Sequence, residues 1–464
     1  MIRMRAFTVR ISNLKMRDRL VPSFYFEMSS NKSGYISKPI NDFAFVSDGQ
    51  HAHNPRNNVG GIRYLYGRNI KEQSINYDPI SDDSYIDENV FDSDNRCHVK
   101  NGDLLIAILG TVGKSVVYNL EKNGVLGIPR HIARITLRKN TDDINLYFLS
   151  CYFRNRRTRK EVEASATGNI QKLLSLKTIR ATKVPLPDKP LLSTITSNEI
   201  EALNLQYEFD MLLEKAKKLF YESIPFNVKA VPDESFFSIK STDVKKNDMN
   251  LALSKYRKLY VNTIAEIMKV DHFVLSDEFS IATGVEVGSK EYIPYVESSS
   301  SSIPFIRTSD IVNYYPDFYT DFFVKSKPSK YSLLPRDVAF TKDGKIGCCA
   351  YIGDNTGFIF SSGFSIFRKI KGKNQFITPE YLFIALSILE IGTFQGLKGT
   401  VVASTIPHLR KQNIQKFVIP LINKEKINKI TTIVQLAFSK RERKNELLKI
   451  DDCLMNNFLE KIRD

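Results

Sequence analysis

The residues that most invite a chemical interpretation form a glycine-rich loop, residues 110–115, which ends in Gly-Lys-Ser. In a Walker A loop the backbone amides wrap phosphate groups, and that geometry needs a glycine five residues before the Gly-Lys pair. This position is Ile108, and the matching loop later in the chain ends in Gly347-Cys348-Cys349, without Lys or Ser. The glycines therefore predict a tight turn between two strands and not nucleotide hydrolysis.

Signatures of other common catalytic classes are missing from the sequence. The six histidines form no His-Glu-x-x-His pair, and no Gly-x-Ser-x-Gly elbow occurs. The tripeptide at 54–56, Asn-Pro-Arg, is not the Asn-Pro-Pro-aromatic loop that an adenine methyltransferase needs. Asp317, Asp321 and Lys325 are spaced as in some nucleases, but such a group is more typical of a solvated loop. The chain is predicted to be non-catalytic by itself.

The charge balance indicates a different chemistry, the binding of phosphate. There are 67 Lys and Arg against 51 Asp and Glu, which gives a net charge of +16. This excess is typical of a protein that meets nucleic acid or an anionic membrane. A basic run in the first half of the chain could neutralise DNA phosphates, although a solvated helix face has the same composition. The predicted phosphate contacts are Arg154, Arg156, Arg157 and Lys172.

Base edges are read by side chains with two-point hydrogen-bonding geometry, Arg for guanine and Asn or Gln for adenine. The loop 50–58 is rich in these residue types, and its counterpart near 297–302 is followed by lysines and a tyrosine. Loops of this composition are also typical of solvent-exposed surface that does not contact DNA. The predicted DNA contacts are Gln50, His51, Asn54, Arg56, Asn57 and Asn58 in the first half and Lys325, Lys327, Lys330 and Tyr331 in the second.

Length and composition restrict the class of protein. A chain of 464 residues is long enough for two or three domains, and 42% hydrophobic residues are ordinary for a globular protein. No apolar run of about 18 residues and no secretory signal is evident, so we expect a cytoplasmic protein without a membrane segment. The five cysteines form no Cys-x-x-Cys pair, and they predict reduced thiols without a metal site.

The chain contains a long internal repeat. Asp103 and Asp337 are 234 residues apart, and Gly110 and Gly113 each recur at the same offset. The segment 62–70 matches 303–311, and the Val-Pro pair at 184–185 matches Ile-Pro at 419–420. A period of this length predicts two similar domains, which suits a partner that presents two similar sites.

Two stretches lack both Gly and Pro, residues 191–224 and 423–464. The first contains a candidate capping box, Thr196 with Glu199, and both have apolar residues at helical spacing. They predict two long amphipathic helices, roughly 50 and 60 Å long at about 1.5 Å per residue. The helices could pair as an antiparallel coiled coil that separates the domains, or could dock on a third protein.

Short apolar runs between turn residues predict strands in each repeat, with one helical patch per repeat near 145–163 and 379–394. The predicted fold class is therefore α/β (α+β), with two tandem domains of mixed, mainly antiparallel sheet and two long helices. The predicted boundaries are domain 1 at 1–190, a central helix at 191–225, domain 2 at 226–422 and a C-terminal helix at 423–464.

This layout resembles the specificity subunit of type I restriction-modification systems. That family has two target recognition domains, each ending in a Gly-x-x-x and then an Ile/Val-Pro-Leu segment and each followed by a long helix. The motifs that carry the resemblance are residues 102–105 with 110–114, 166–173 leading to 184–187, and the counterparts 337–347 and 399–400 leading to 419–420.

The resemblance implies that each domain reads one half of a bipartite, asymmetric double-stranded DNA target. The helices would then set the spacing of the halves and dock two methyltransferase (modification) subunits, joined by a restriction and translocase subunit. No cofactor is expected in this chain, and S-adenosylmethionine, ATP and Mg are expected in the partners. Two alternatives remain, a stand-alone DNA-modifying or cleaving enzyme with an unrecognised site, and a scaffold that is indifferent to DNA sequence.

Overall fold

The computed structural model describes residues 36–462 except 52–59, 77–84, 111, 140, 169–171, 232–236, 247–252, 313, 317–318, 327–330 and 403–405. The described residues form two compact units. Unit 1 comprises residues up to 204 together with those from 444 onward, and unit 2 comprises 205–443. Each repeat is thus grouped with the first half of its own long helix and with the second half of the other one.

Unit 1 is built around a four-stranded antiparallel sheet in the order β2-β10-β7-β8. A smaller sheet, β6-β3-β9, contains the parallel pair β3–β9. The strands are β1 (Ser37–Pro39), β2 (Ala44–Asp48), β3 (Ile62–Tyr64), β4 (Ile70–Lys71), β5 (Ser74–Ile75), β6 (Tyr85–Ile86), β7 (Leu104–Ala107), β8 (Ser115–Val117), β9 (Leu126–Gly127), β10 (Ile132–Leu137) and β11 (Lys183–Pro185). The helices are α1 (Ile40–Phe43), α2 (Glu88–Asp92), α3 (Leu120–Asn123), α4 (Leu146–Arg154), α5 (Arg156–Ser165), α6 (Leu176–Ala181) and the long helix α7 (Lys189–Ser223).

Unit 2 repeats this topology with the order β13-β22-β19-β20, and its second sheet, β14-β18-β15-β21, contains the parallel pair β15–β21. Its strands are β12 (His272–Val274), β13 (Phe279–Thr283), β14 (Ile293–Pro294), β15 (Ile303–Ile306), β16 (Ile311–Val312), β17 (Tyr315–Pro316), β18 (Phe322–Val324), β19 (Val338–Thr341), β20 (Cys349–Tyr351), β21 (Ile359–Phe360), β22 (Phe364–Lys369), β23 (Thr400–Val402), β24 (Pro407–Leu409) and β25 (Val418–Pro420). Its helices are α8 (Ser241–Lys246), α9 (Lys258–Met268), α10 (Leu275–Glu278), α11 (Pro379–Ser387), α12 (Phe394–Gly399), α13 (Lys411–Ile414) and the long helix α14 (Lys424–Lys461), with a π-helical turn at Leu389–Thr393. The predicted mixed, mainly antiparallel sheets are confirmed.

One inner strand of each main sheet is buried on both faces. All residues of β7 and of β19 are buried. One face of each sheet is covered by a helix, α4 in unit 1 and α11 in unit 2, and nearly every residue of these helices is buried. This packing explains why the strands appear in the sequence as continuous apolar runs and not as alternating ones.

Both long helices begin with an equivalent side-chain cap. The Asp188 carboxylate accepts a hydrogen bond from the Leu191 amide at 2.9 Å, and the Asn423 side-chain oxygen accepts one from the Lys426 amide at 2.9 Å. The two caps are 235 residues apart, so they belong to the repeat. The predicted capping box at Thr196 is wrong, because α7 begins seven residues earlier and the Thr196 hydroxyl donates to the Leu192 carbonyl within the helix. Pro190 lies in the first turn of α7, a position with which proline is compatible, so it does not mark the helix boundary.

Segments of α7 and α14 pack against each other within each unit. In unit 2 the Phe209 and Phe438 rings are 5.2 Å apart, and Lys440 forms an ion pair with Glu208 at 2.7 Å. As the residue number rises along α7, the number of its partner on α14 falls, so these segments run antiparallel. In unit 1 the Asn198 amide donates to the Asp451 carboxylate at 2.7 Å.

The described residues contain no single helix with both the length and the apolar composition needed to cross a membrane. One bent pair, Pro379–Ser387 with Leu389–Gly399, satisfies the criteria of length and composition at an angle of 85°. Most of its residues are buried in unit 2.

Candidate nucleic-acid interface

The glycine-rich loop is a hairpin turn in each repeat, as predicted. Gly110 and Gly344 both have positive φ, and the amide of each donates to a carbonyl of a neighbouring segment, at Lys172 in unit 1 (2.9 Å) and at Pro407 in unit 2 (3.0 Å). Lys114, the lysine of the apparent phosphate motif, is buried. The loop therefore supports neighbouring loops and does not form a phosphate cradle.

The second glycine of the turn is needed because another side chain approaches it closely. Gly113 has a φ of 88°, and a Cβ there would lie 2.8 Å from the Arg159 side chain. Gly347 has a φ of 101°, and a Cβ there would lie 2.5 Å from Thr393. A larger residue would be both strained and crowded at either position. Both repeats thus retain these glycines for the same packing reason.

In unit 1 several loops meet at the turn end of the main sheet, which we call the loop edge of unit 1 (50–51, 66–68, 109–110, 130–131 and 172). The Arg130 amide donates to the Gln50 carbonyl at 2.9 Å, and the Ile108 amide donates to the His131 carbonyl at 3.0 Å. A Cβ on Gly67 would lie 3.5 Å from the carbonyl oxygens of His131 and of the neighbouring Leu109. Backbone contacts therefore fix these loops relative to one another.

Cationic side chains are concentrated on the loop edge of unit 1. The Arg68 guanidinium lies 4.1 Å from the centre of the Tyr66 ring, and Arg68 is exposed. Arg130 and Lys172 are also exposed, and Lys172 forms an ion pair with Glu163 at 2.9 Å. A guanidinium stacked on an aromatic ring keeps its planar donors oriented, which suits both phosphate and guanine recognition. This edge therefore presents three exposed cationic side chains, Arg68, Arg130 and Lys172.

The loop edge of unit 2 (284–285, 307–308, 343–344, 361–363 and 407–408) has the same backbone framework but different side chains. The position of Leu109 is taken by Asp343, which pairs with His408 and lies 3.3 Å from the Lys342 ammonium. Arg307 stands at the position of Tyr66, at 4.4 Å from the Phe322 ring. Each edge therefore presents a different hydrogen-bonding pattern.

Arg307 is held in place by acids on two sides. It forms ion pairs at 3.1 Å with Asp310 and at 3.1 Å with Asp321. Burial opposes the charged form of this guanidinium, but the two carboxylates outweigh burial and raise the pKa of Arg307. Arg307 thus remains charged and is fixed in position.

The structure contradicts the prediction that Arg154 contacts phosphate. Its side chain is fully buried, donates to Glu199 at 2.5 Å and to Asp452 at 2.9 Å, and so belongs to the interior of unit 1. Gln50 is also wrong as a base contact, because only 4% of it is exposed. Arginine runs have the same sequence pattern whether they face solvent or a buried carboxylate, which explains the error at Arg154.

The other predicted residues fall into three groups. His51 and Lys172 are exposed on the loop edge of unit 1, and His51 pairs with Asp48 at 2.8 Å. Arg156 and Arg157 are half-buried on α5, and Lys325 is exposed after β18. The residues that lie outside the described part of the chain are Asn54, Arg56, Asn57, Asn58, Lys327 and Lys330.

Tyr331 has a structural contact that the sequence does not indicate. Its hydroxyl accepts a hydrogen bond from the Phe360 amide at 2.9 Å, and burial raises the pKa of Tyr331 to about 12. Sequence reasoning also missed Arg68 and Arg130. The signal for Arg68 was present in the aromatic and glycine residues that precede it, whereas the position of Arg130 depends on the pairing of distant strands.

Comparison with known protein families finds one match, and it lies mostly in the second repeat. Residues 281–449 match the family model described as "Type I restriction modification DNA specificity domain". The match covers β19, β22 and the loop edge of unit 2 from 284–285 to 407–408. It confirms, for this part of the chain, the resemblance found in the sequence. No curated protein matches the chain.

Solved structures of low identity also align with the chain. One is the type I restriction-modification S subunit from M. genitalium (14% identity, TM-score 0.39, covering 92% of this chain and 96% of that one). Another is the HsdS subunit from Thermoanaerobacter tengcongensis (13%, TM-score 0.28, 91% and 96%). A third comes from a study of complex assembly and conformational transition in the type I R-M system (13%, TM-score 0.29, 92% and 98%).

Proposed function

Because residues 281–449 match the type I restriction modification DNA specificity domain, we propose that the chain is the DNA sequence-specificity subunit of a type I restriction-modification complex. In this proposal each unit reads one half of a bipartite, asymmetric target. The chain itself is non-catalytic and holds no cofactor. S-adenosylmethionine, ATP and Mg belong to its partners.

The main observation behind the proposal is that the two repeats share the backbone hydrogen bonds of their loop edges but carry different side chains there. The hydrogen bond from Gly110 to Lys172 recurs as the one from Gly344 to Pro407, so both repeats position their loops in the same way. The side chains on the two loop edges nevertheless differ, with Arg68 and Arg130 in unit 1 and the pair of Asp343 and His408 in unit 2. Two loop edges with the same backbone framework and different side chains suit a DNA target whose two halves differ in sequence.

Two exposed cations of unit 1 give a direct test of DNA binding. Arg130→Ala and Lys172→Ala are each expected to weaken binding and to lower the slope of log K against log salt by about 1, because each removes a phosphate contact. Lys139→Ala, an exposed lysine away from the loop edge, is the matched control. The measurement is DNA binding by the purified complex at several salt concentrations. If the salt slopes of both variants equal that of the Lys139→Ala control, Arg130 and Lys172 do not contact DNA phosphates.

We further propose that the long helices set the spacing between the half-sites and dock two methyltransferase subunits, with a restriction and translocase subunit joining them. The continuous helices α7 and α14 support this proposal, because a helix keeps a fixed rise of about 1.5 Å per residue. The antiparallel packing of their segments inside each unit adds rigidity.

A deletion of four residues within 202–218 tests the role of the helices in spacing. It shortens α7 by about 6 Å, roughly one turn, and is expected to change the preferred spacer between the half-sites without changing the bases read. The measurement is the methylated consensus produced by the complex. A four-residue deletion in the exposed loop 371–376 is the control, and its spacer is expected to be unchanged. An unchanged spacer in a folded helix variant would contradict the proposal.

The alternatives predict different behaviour. A stand-alone enzyme would cut or methylate DNA without partners. A scaffold that is indifferent to DNA sequence would release its bound target to the same extent whether or not the competitor DNA contains the target sequence. A specificity subunit is expected to do neither, and to retain its target against unrelated duplex at moderate salt.

A further inference from the structure

A cavity of about 380 Å³ lies in unit 2 between the start of β19 and the loop that follows β22. Its wall includes Arg336 and Asp337 before β19, Arg368 near the end of β22, and Lys371 and Lys373 in the following loop. The cavity lies at the opposite end of β19 from the loop edge of unit 2, because β19 begins beside the cavity and ends before the glycine turn. It is therefore separate from the surface proposed to read bases.

The lining of this cavity contains more basic than acidic residues, although Arg336, Arg368 and Lys369 each pair with a carboxylate. Of the residues that line it, five are basic and a single one, Asp337, is acidic. Lys369, the fifth basic residue, forms an ion pair with Glu278 at 2.6 Å. Lys371 and Lys373 are exposed on a turn formed by Gly372, which has a φ of 82°. The field in the cavity thus favours an anion.

The two arginines are held rigidly by buried carboxylates. Arg336 donates two hydrogen bonds of 2.8 Å to Glu380, and Arg368 donates to the two oxygens of Asp337 at 2.9 and 2.6 Å. These hydrogen bonds raise the pKa of both guanidiniums. They involve Nε and Nη2 of each arginine, the described residues give neither Nη1 group a hydrogen bond, and both side chains are at least one-third exposed. Fixed, charged donors of this kind suit the tetrahedral oxygens of phosphate.

The N-terminus of helix α11 adds to the same field. Thr378 caps this nine-residue helix, Pro379 is its first residue, and both line the cavity. The positive end of a helix dipole stabilises an anion placed beside it. This contribution supplements the arginines and lysines.

The equivalent loop of unit 1 lacks this charge pattern. It contains Asp142 and Asp143, and Asp143 pairs with Lys38. This loop of unit 1 therefore contains two acids, whereas the loop of unit 2 from 370 to 376 contains two lysines and no acid. The anionic ligand is expected in unit 2 alone.

We propose that the cavity of unit 2 binds a phosphate group. The group could come from a nucleic-acid backbone or from a free phosphate compound, and the chemistry of recognition is the same. This site lies beyond the proposed reading of bases, and the bases in the consensus do not depend on it.

The test uses the full chain in complex with its methyltransferase partner and compares Lys371→Ala/Lys373→Ala with the matched control Lys100→Ala/Lys139→Ala. Both variants lose two exposed lysines, and the control loses them at the equivalent end of unit 1. Inorganic phosphate is titrated by calorimetry against each protein. We expect about tenfold weaker phosphate binding in the unit 2 variant and no change in the control.

A second arm identifies the source of the phosphate. Binding of a duplex without the target is measured against salt for the same proteins. If the source is nucleic acid, the salt slope of the unit 2 variant falls by about 2, and inorganic phosphate competes with the duplex. If the source is a free compound, the phosphate titration changes and the slope does not. Equal phosphate binding by the unit 2 variant, the control and the unaltered protein would overturn the proposal.

Discussion

Replacing Arg154 with methionine is expected to lower the free energy of unfolding by about 3–5 kcal/mol. The guanidinium is fully buried between Glu199 and Asp452, and the Glu199 carboxylate is fully buried as well. Methionine fills similar space but leaves a charged carboxylate inside the unit without its partner. Chemical denaturation of the full chain, followed by a probe in unit 1, measures the change.

The control for this prediction is Arg157→Met on the adjacent helix. Arg157 pairs with Glu460 at 3.1 Å, but both side chains are solvent-accessible, so a loss of less than about 1 kcal/mol is expected. The double variant Arg154→Met/Glu199→Leu should recover much of the stability, because no carboxylate is left unpaired at position 199. Equal losses for Arg154→Met and Arg157→Met would show that the buried pair contributes little.

Asp451→Asn is expected to stabilise the protein in alkaline solution by on the order of 2 kcal/mol. Asp451 is buried, and burial, followed by the nearby Glu199 carboxylate, raises its pKa to about 8. The ordinary pKa of this carboxyl is 3.8, so between about pH 4 and 8 the folded state holds a proton that the unfolded chain has released. The contribution of Asp451 to stability therefore falls as pH rises through that window, and this contribution is constant above it.

Asparagine at 451 carries no charge and can still accept from Asn198, so the variant should lose this pH dependence. The free energy of unfolding is measured at pH 5, 7 and 9 for both proteins. Glu460→Gln on the same helix removes an exposed carboxylate and serves as control. A variant that is less stable than the natural protein at pH 9 would mean that Asp451 is charged and stabilising in the fold.

The features that sequence predicted correctly are those encoded locally. Glycines at 110 and 344 predicted turns because only glycine adopts positive φ without strain, and both turns are present. Stretches without Gly and Pro predicted α7 and α14, because nothing in them interrupts a helix. Buried strands such as β7 were evident as apolar runs.

The features that sequence could not predict depend on contacts between distant residues. Arg154 reaches Asp452, a residue 298 positions later, and nothing near Arg154 in the chain reveals that partner. Arg336 is a second example, because it occupies the position of Gly102 with a φ of 70°. The bidentate pair with Glu380 holds Arg336 in this strained backbone conformation, and Glu380 comes from a helix 44 residues further on.

The most direct test of the central proposal is selection of randomised duplex DNA by the chain in complex with the proposed modification subunit. Two reading edges on one repeated framework predict a split consensus with two different halves and a fixed spacer. A single contiguous consensus, or binding without any consensus that disappears at moderate salt, would contradict the assignment of the chain as a bipartite specificity subunit.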